Sequence, residues 1–142
     1  MTDTKPLVML VEDDPPLIDI YRIAMKRSPF KLSIQSDIDD AFNFARDKHP
    51  SLILLDIILP AAHHQAPAVF EKMGFELLKK LKGDSKTKNI PVVMFTNLDS
   101  YQDRETAENL GAVDYLVKAN YVPSKTIKKI EEVLAKLPAD KK

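Results

Sequence analysis

In Ser51-Leu-Ile-Leu-Leu55-Asp56 an unbroken apolar run, Leu52 to Leu55, is closed by a single carboxylate. Four apolar residues in succession lack the alternation of a half-exposed strand. They suit a strand covered on both faces, as in a parallel sheet between two helix layers. An Asp placed directly after such a strand emerges at the carboxyl edge of the sheet, where open α/β sheets bind ligands. Taken alone, Asp56 reads equally well as a turn cap, because Asp is common where strands pass into loops. The flanking segments decide between the two readings.

Upstream, Leu7-Val-Met-Leu-Val11 is a second buried run, and it ends in Glu12-Asp13-Asp14-Pro15-Pro16. Proline suits a helix's first turn and acids favour its positive end, so a helix is predicted from Pro15. Leu17, Ile20, Tyr21 and Ala24 give it one apolar face, and Ser28-Pro29 stops it. Phe30 to Ile34 alternates apolar and polar residues, as an edge or half-covered strand does. Ser36-Asp37 opens a second helix with Asp39 and Asp40 in its first turn, and His49-Pro50 ends it.

Downstream of Asp56 the pattern falters from Pro60 to Gly74. Strand-to-helix loops usually run about 2–6 residues, so this connection is roughly ten residues too long. A third helix carries Gly74, Leu77, Leu78 and Leu81 and is expected to extend back toward Ala68. Ile90 to Phe95 reads as a fourth strand delivering Thr96. Asp99 or Ser100 caps a weak fourth helix that stops at Leu110-Gly111. Asp114-Tyr-Leu-Val117 is a fifth strand followed by Lys118, and Pro123 opens a last helix faced by Ile130, Val133, Leu134 and Leu137. Strands alternating with helices imply an α/β fold: a five-stranded parallel sheet of order 2-1-3-4-5, helices on both faces, joined by right-handed crossovers. Residues 1–142 are expected to form one domain with its core at about 6–137.

Bulk composition narrows the function classes. The 142 residues are 44% hydrophobic and 30% charged, ordinary for a soluble globular protein. Lys plus Arg and Asp plus Glu both total 21, so no basic excess points to nucleic acid. Cysteine is absent, which excludes disulfides, thiolate chemistry and Cys-based zinc sites. The amino-terminal apolar run is too short for a signal peptide core or a membrane span, so a cytoplasmic protein is expected.

One corner of the expected sheet gathers Glu12, Asp13, Asp56, Thr96 and Lys118. Three carboxylates this close repel one another unless cations intervene. Lys118 offsets one charge, and a divalent ion would offset the rest. Mg²⁺ takes hard oxygen ligands and is commonly held by one or two carboxylates plus a phosphate. Asp with a metal, a Lys and a Thr hydroxyl is a phosphoryl-transfer arrangement in which Asp can act as nucleophile. Each residue also has a plain reading: first-turn acids, a turn hydroxyl, a solvated lysine. Successive strand ends delivering all five to one corner favours the chemical reading.

At these residues the sequence resembles a response-regulator receiver domain of bacterial two-component signalling. The matching pieces are Leu10-Val-Glu-Asp-Asp-Pro15, Leu54-Leu-Asp-Ile-Ile-Leu-Pro60, Met94-Phe-Thr-Asn97 and Asp114-Tyr-Leu-Val-Lys118, in a span from Leu7 to Leu137. The resemblance implies a flavodoxin-like receiver fold whose Asp56 accepts phosphate from a histidine on a sensor kinase or phosphotransfer protein. It implies Mg²⁺ held by Glu12, Asp13, Asp56 and the main-chain carbonyl of Ile58. Lys118 would pair with the acyl phosphate, and the Thr96 hydroxyl would bind it after a shift. Tyr115 matches an aromatic position that turns inward in the active state; its plain reading is a half-buried strand tyrosine. Such a protein is no enzyme beyond its own phosphorylation and dephosphorylation. With no effector domain after the last helix, it is expected to act alone through partner binding, by the fourth helix, fifth strand and fifth helix (roughly Ser100 to Leu137). The sequence leaves open whether phosphorylation also drives dimerisation.

Departures from the family pattern carry expectations of their own. Ala119 stands where the family usually places Pro; a cis bond there costs about 3 kcal/mol without proline. The loop is therefore expected to run trans, with a risk of displacing Lys118. Ile58 and Leu98 replace polar residues that aim water at the acyl phosphate, so slow dephosphorylation is expected. Asn97, larger than the usual residue, is expected to join them in tuning the phosphoryl group by narrowing access for small phosphodonors. His63 and His64 are adjacent, a poor spacing for a shared metal, and a docking loop is the better reading. Two rivals stand beside the switch. An aspartyl-nucleophile phosphohydrolase would need a second acid where Ile58 stands, and an unphosphorylated docking module has no need of the five site residues.

Overall fold

The computed structural model describes residues 5–60 and 72–137. The chain alternates β1 (Leu7–Val11), α1 (Pro15–Lys26), β2 (Lys31–Gln35), α2 (Ile38–Lys48), β3 (Leu52–Leu55), α3 (Met73–Gly83), β4 (Val92–Thr96), α4 (Tyr101–Asn109), β5 (Asp114–Val117) and α5 (Pro123–Ala135). The strands form one parallel sheet in the order β2-β1-β3-β4-β5, as the alternation implied. Local chemistry sets the boundaries. Pro residues open α1 and α5, where a missing N–H costs nothing. Asp37 and Ser100 cap α2 and α4 by accepting the N–H of Asp40 and Asp103. Gly111, at φ 102°, takes the left-handed conformation that ends α4.

Two strands start later than their composition suggests. Phe30 belongs to a turn in which its N–H is taken by the Ser28 hydroxyl at 3.0 Å, and β2 pairing begins at Lys31. Pro91 has no N–H for the ladder, so β4 begins at Val92, while the Pro91 carbonyl still accepts the Ile53 N–H. The expected extension of α3 toward Ala68 is not met: Lys72, with φ −104° and ψ 59°, is its non-helical N-cap. The remaining residues of that segment, 61–71, lie outside the described residues, and so do His63 and His64.

Alternation along each strand divides the core in two. Met9, Val11, Ile53, Leu55, Val92 and Met94 meet the apolar faces of α2 and α3 on one side of the sheet. Val8, Leu10, Leu52, Leu54, Val93, Phe95 and Leu116 meet α1 and α5 on the other. Both faces of β1, β3 and β4 are thus dry, as their unbroken apolar runs require. A buried hydrogen bond between Tyr21 and Thr126 hydroxyls, 2.8 Å long, ties α1 to α5 beneath the sheet. No described helix is long and apolar enough to cross a membrane.

Gly74 is where the long β3–α3 connection returns to the sheet. Its N–H donates to the Ile57 carbonyl at 2.7 Å. A Cβ on Gly74 would lie 2.1 Å from the Asp56 carbonyl oxygen and 2.7 Å from the Ile57 Cα. Main chain cannot yield as a side chain does, so the first turn of α3 or the Asp56 loop would have to move. Gly74→Ala is therefore expected to cost about 3 kcal/mol or more in denaturant unfolding; a loss under about 1 kcal/mol would contradict this close approach.

Candidate functional site

Strand register brings the sequence-distant acids together. Val11 pairs with Leu55, and the Asp56 N–H donates to the Val11 carbonyl at 3.2 Å, so Glu12 and Asp56 leave adjacent strands side by side. Thr96 pairs with Val117, which puts Lys118 one residue beyond the end of that ladder. Carboxylate oxygens of Glu12, Asp13 and Asp56 lie within 4.8 Å of one another. The Lys118 ammonium reaches across to two of them, 2.8 Å from Asp56 Oδ2 and 2.5 Å from Glu12 Oε1. Ala119 therefore does not displace Lys118. Among the described residues no peptide bond is cis, and Lys118–Asn120 forms a 3-10 turn closed by the Tyr121 N–H on the Lys118 carbonyl at 3.1 Å.

Burial makes this cluster electrostatically tense. Glu12 is only 1% exposed and Asp56 7%. Asp13 is less enclosed than either. Glu12 Oε2 accepts the main-chain N–H groups of Asp13 and Asp14 at 3.1 and 3.2 Å. Glu12 Oε1 has only its ion pair with Lys118, without hydrogen-bond geometry. Burial, with added repulsion from Asp56, raises the Glu12 carboxyl to about 7, although Lys118 works in the other direction. Burial and Asp56 also raise Asp13. Burial alone would lower Lys118, but Asp56 and Glu12 more than offset it and leave the ammonium more firmly protonated. Three carboxylates against one ammonium leave a deficit of positive charge. Hard oxygen donors and an under-satisfied buried oxygen fit a divalent cation held by Glu12, Asp13 and Asp56.

The remaining predicted residues surround this pair of charges. Thr96 is buried, and its Oγ1 accepts the Leu98 N–H at 3.3 Å rather than contacting Asp56 or Lys118. Asp56 Oδ1 accepts the Ile57 N–H at 2.7 Å. Ile58 and Leu98 pack half-buried against the core on the α2–α3 side. The Tyr115 hydroxyl donates to the Leu98 carbonyl at 2.6 Å, and the Arg104 guanidinium lies 4.8 Å from its ring centroid. Burial, with nearby acids, pushes the Tyr115 phenol up to about 12. Asn97 Oδ1 accepts the Ala119 N–H at 3.0 Å. A cavity of about 720 Å³ between α1 and β2 shares no residue with this cluster.

Two contacts here escape sequence reasoning. Lys72 bonds Asp103 at 2.7 Å, joining the start of α3 to the start of α4; only the Ser100-x-x-Asp103 spacing hinted that Asp103 would be tied down. The Asn97–Ala119 bond had no signal beyond an N–H where proline would offer none.

The family model for the response regulator receiver domain matches residues 8–131. The phosphate regulon transcriptional regulatory protein PhoB of Escherichia coli K12 is 30% identical over 92% of this chain and 52% of its own length. The chain thus spans about half of the curated relatives it matches. A CheY-like receiver domain protein from Methanospirillum hungatei JF-1 superposes with a TM-score of 0.78 at 22% identity, covering 93% of this chain and 95% of that one. The receiver domain of a sensor histidine kinase from Pseudomonas aeruginosa PAO1, solved with a magnesium ion in its active site cleft, gives 0.76 at 19% identity, covering 93% and 99%.

The raised Glu12 carboxyl yields a pH signature. Unfolded, it loses its proton near 4.5; folded and metal-free, it keeps it to about 7. The folded state binds more protons across that interval, so this contribution to stability is full below the lower value and lost as pH rises through the upper one. In chelator-treated protein, the stability of wild type relative to Glu12→Gln should fall from pH 4.5 to 7. A difference that stays flat across that range would contradict the assignment.

Proposed function

The chain belongs to the response regulator receiver domain family, and from that premise we propose that it is a phosphorylation-dependent signalling switch with Asp56 as phosphoacceptor. The observation that carries this reading is the Lys118 ammonium held between Asp56 and Glu12 at the sheet's carboxyl edge. Receiver domains are signalling modules, so the chemistry is a single transfer rather than turnover. An Asp56 oxygen forms an O–P bond as the P–N bond of a phosphohistidine on a sensor kinase or phosphotransfer protein breaks. The leaving imidazole nitrogen takes up a proton. Glu12, Asp13, Asp56 and the Ile58 main-chain carbonyl would hold Mg²⁺, which supplies charge neutralisation at the transferring group. The Pseudomonas receiver domain with magnesium in its cleft supports that choice.

Lys118, 2.8 Å from Asp56 Oδ2, would pair with an oxygen of the new acyl phosphate. Thr96 would have to exchange the Leu98 N–H for the phosphoryl group, which draws the β4–α4 loop with it. Tyr115 is bonded to the same loop through the Leu98 carbonyl, so a shift at Thr96 reaches the α4–β5–α5 surface. Tyr101, Val113 and Val122 are exposed there, at 79%, 51% and 57%, and suit a protein partner. To invert a 1:99 population, phosphorylation must favour the active state by about 5.5 kcal/mol. We place the switch in the cytoplasm and assign this region no nucleic-acid contact, given its balanced charge. PhoB is by name a transcriptional regulator, and this chain spans only about half of it.

Intact mass after incubation with Mg²⁺ and acetyl phosphate, or with a sensor kinase and ATP, tests the reading. Wild type should gain one phosphoryl group and Asp56→Asn none; equal labelling of both would contradict it. Ile58 and Leu98 are apolar and cannot orient a water. The phosphoryl group on wild type is therefore expected to last well beyond seconds after donor removal, and loss within seconds would overturn that part.

A further inference from the structure

Thr96 and Lys118 are the two phosphate-binding side chains of the function proposed above, and the inference here rests on that reading. They end neighbouring strands, and the ladder between those strands stops at the Thr96–Val117 pair. Backbone pairing therefore does not extend to Lys118 or to the residue after Thr96. A single side chain bridges that gap: Asn97 Oδ1 accepts the Ala119 N–H at 3.0 Å. Asn97 follows Thr96 directly, and Ala119 follows Lys118 directly.

The identity of residue 119 makes this bridge possible. Proline there would offer no N–H, and it would push the preceding Lys118 out of helical backbone angles. Alanine allows Lys118–Asn120 to take its 3-10 turn and leaves an N–H to be satisfied. Asn97 has the acceptor at the right height. An alanine or serine at 97 would be too short to span the loops or would lack a carbonyl.

We propose that Asn97 is a positioning residue for phosphoryl transfer, whose side-chain carbonyl ties the Thr96 loop to the Lys118 loop so that the two phosphate-binding groups move as one unit. The bond joins two exposed residues and competes with water, so its loss reads as a few-fold effect rather than an abolition. It is also distinct from a gate. If Asn97 only narrowed access for small donors, removing its side chain would speed labelling.

Two readouts on the full chain test this. By amide hydrogen exchange, Asn97→Ala should expose the Ala119 N–H about three- to ten-fold, while Asn97→Asp, which keeps an acceptor oxygen, should retain protection. With acetyl phosphate and Mg²⁺, Asn97→Ala should slow labelling of Asp56 by a similar factor. In an Ala119→Pro background, which lacks the N–H, the same substitution should change the rate little. Unchanged Ala119 exchange, unchanged or faster labelling, or an equal slowing in both backgrounds would each overturn the proposal. Wild type that takes up no phosphoryl group would sink the underlying function and this role with it, while the exchange measurement would still report the tether.

Discussion

Two buried carboxylates sharing one ammonium is the constraint from which the rest of this molecule follows. Glu12 and Asp56 leave adjacent strands, and Lys118 lies between them with its side chain only 14% exposed. Burying charge is costly unless it is paired, and breaking such a pair leaves an uncompensated charge behind. With Asp13 beside them, the acids outnumber the cation. The fold is thereby held in a state that accepts further positive charge.

The sheet supplies the rigidity this requires. β1, β3 and β4 are covered on both faces, and their ends differ only in which side chain follows the last apolar residue. The loop after Thr96 and the turn after Val117 lie beyond the last ladder pair between β4 and β5. Gly74, at the start of α3, is held by main-chain contact with the Asp56 loop. Lys72, one residue outside α3, bonds Asp103 near the start of α4, while the Tyr115 hydroxyl holds the Leu98 carbonyl. The acid corner and the α4–β5–α5 face are thus joined by short, identifiable contacts rather than by distance alone.

Much of this was written in local sequence pattern. Apolar runs closed by Asp56, Thr96 and Lys118 named the strand ends, and Pro15, Asp37, Ser100, Gly111 and Pro123 marked helix boundaries because caps and breakers act over one turn. Strand order followed from alternation and handedness. What pattern could not reach were contacts made by residues without periodicity. Phe30 has strand composition yet belongs to a turn because Ser28 takes its N–H. The backward extension of α3 ends at Lys72, where no proline or glycine announces it. Asn97 and Ala119 meet across two loops, a contact that depends on three-dimensional register alone. The concern that Ala119 would displace Lys118 is answered by a 3-10 turn that proline itself would disfavour.

Glu12, Asp13, Asp56 and Lys118 form one pocket, and the proposed switch requires that pocket to bind a divalent cation. Titrating the chain with Mg²⁺ while following main-chain amide resonances addresses this directly. The signals of residues 12–14, 56–58 and 118 should shift together with one dissociation constant, and Asp13→Asn should weaken that binding markedly. Shifts confined to other parts of the surface, or none at saturating Mg²⁺, would contradict the central claim.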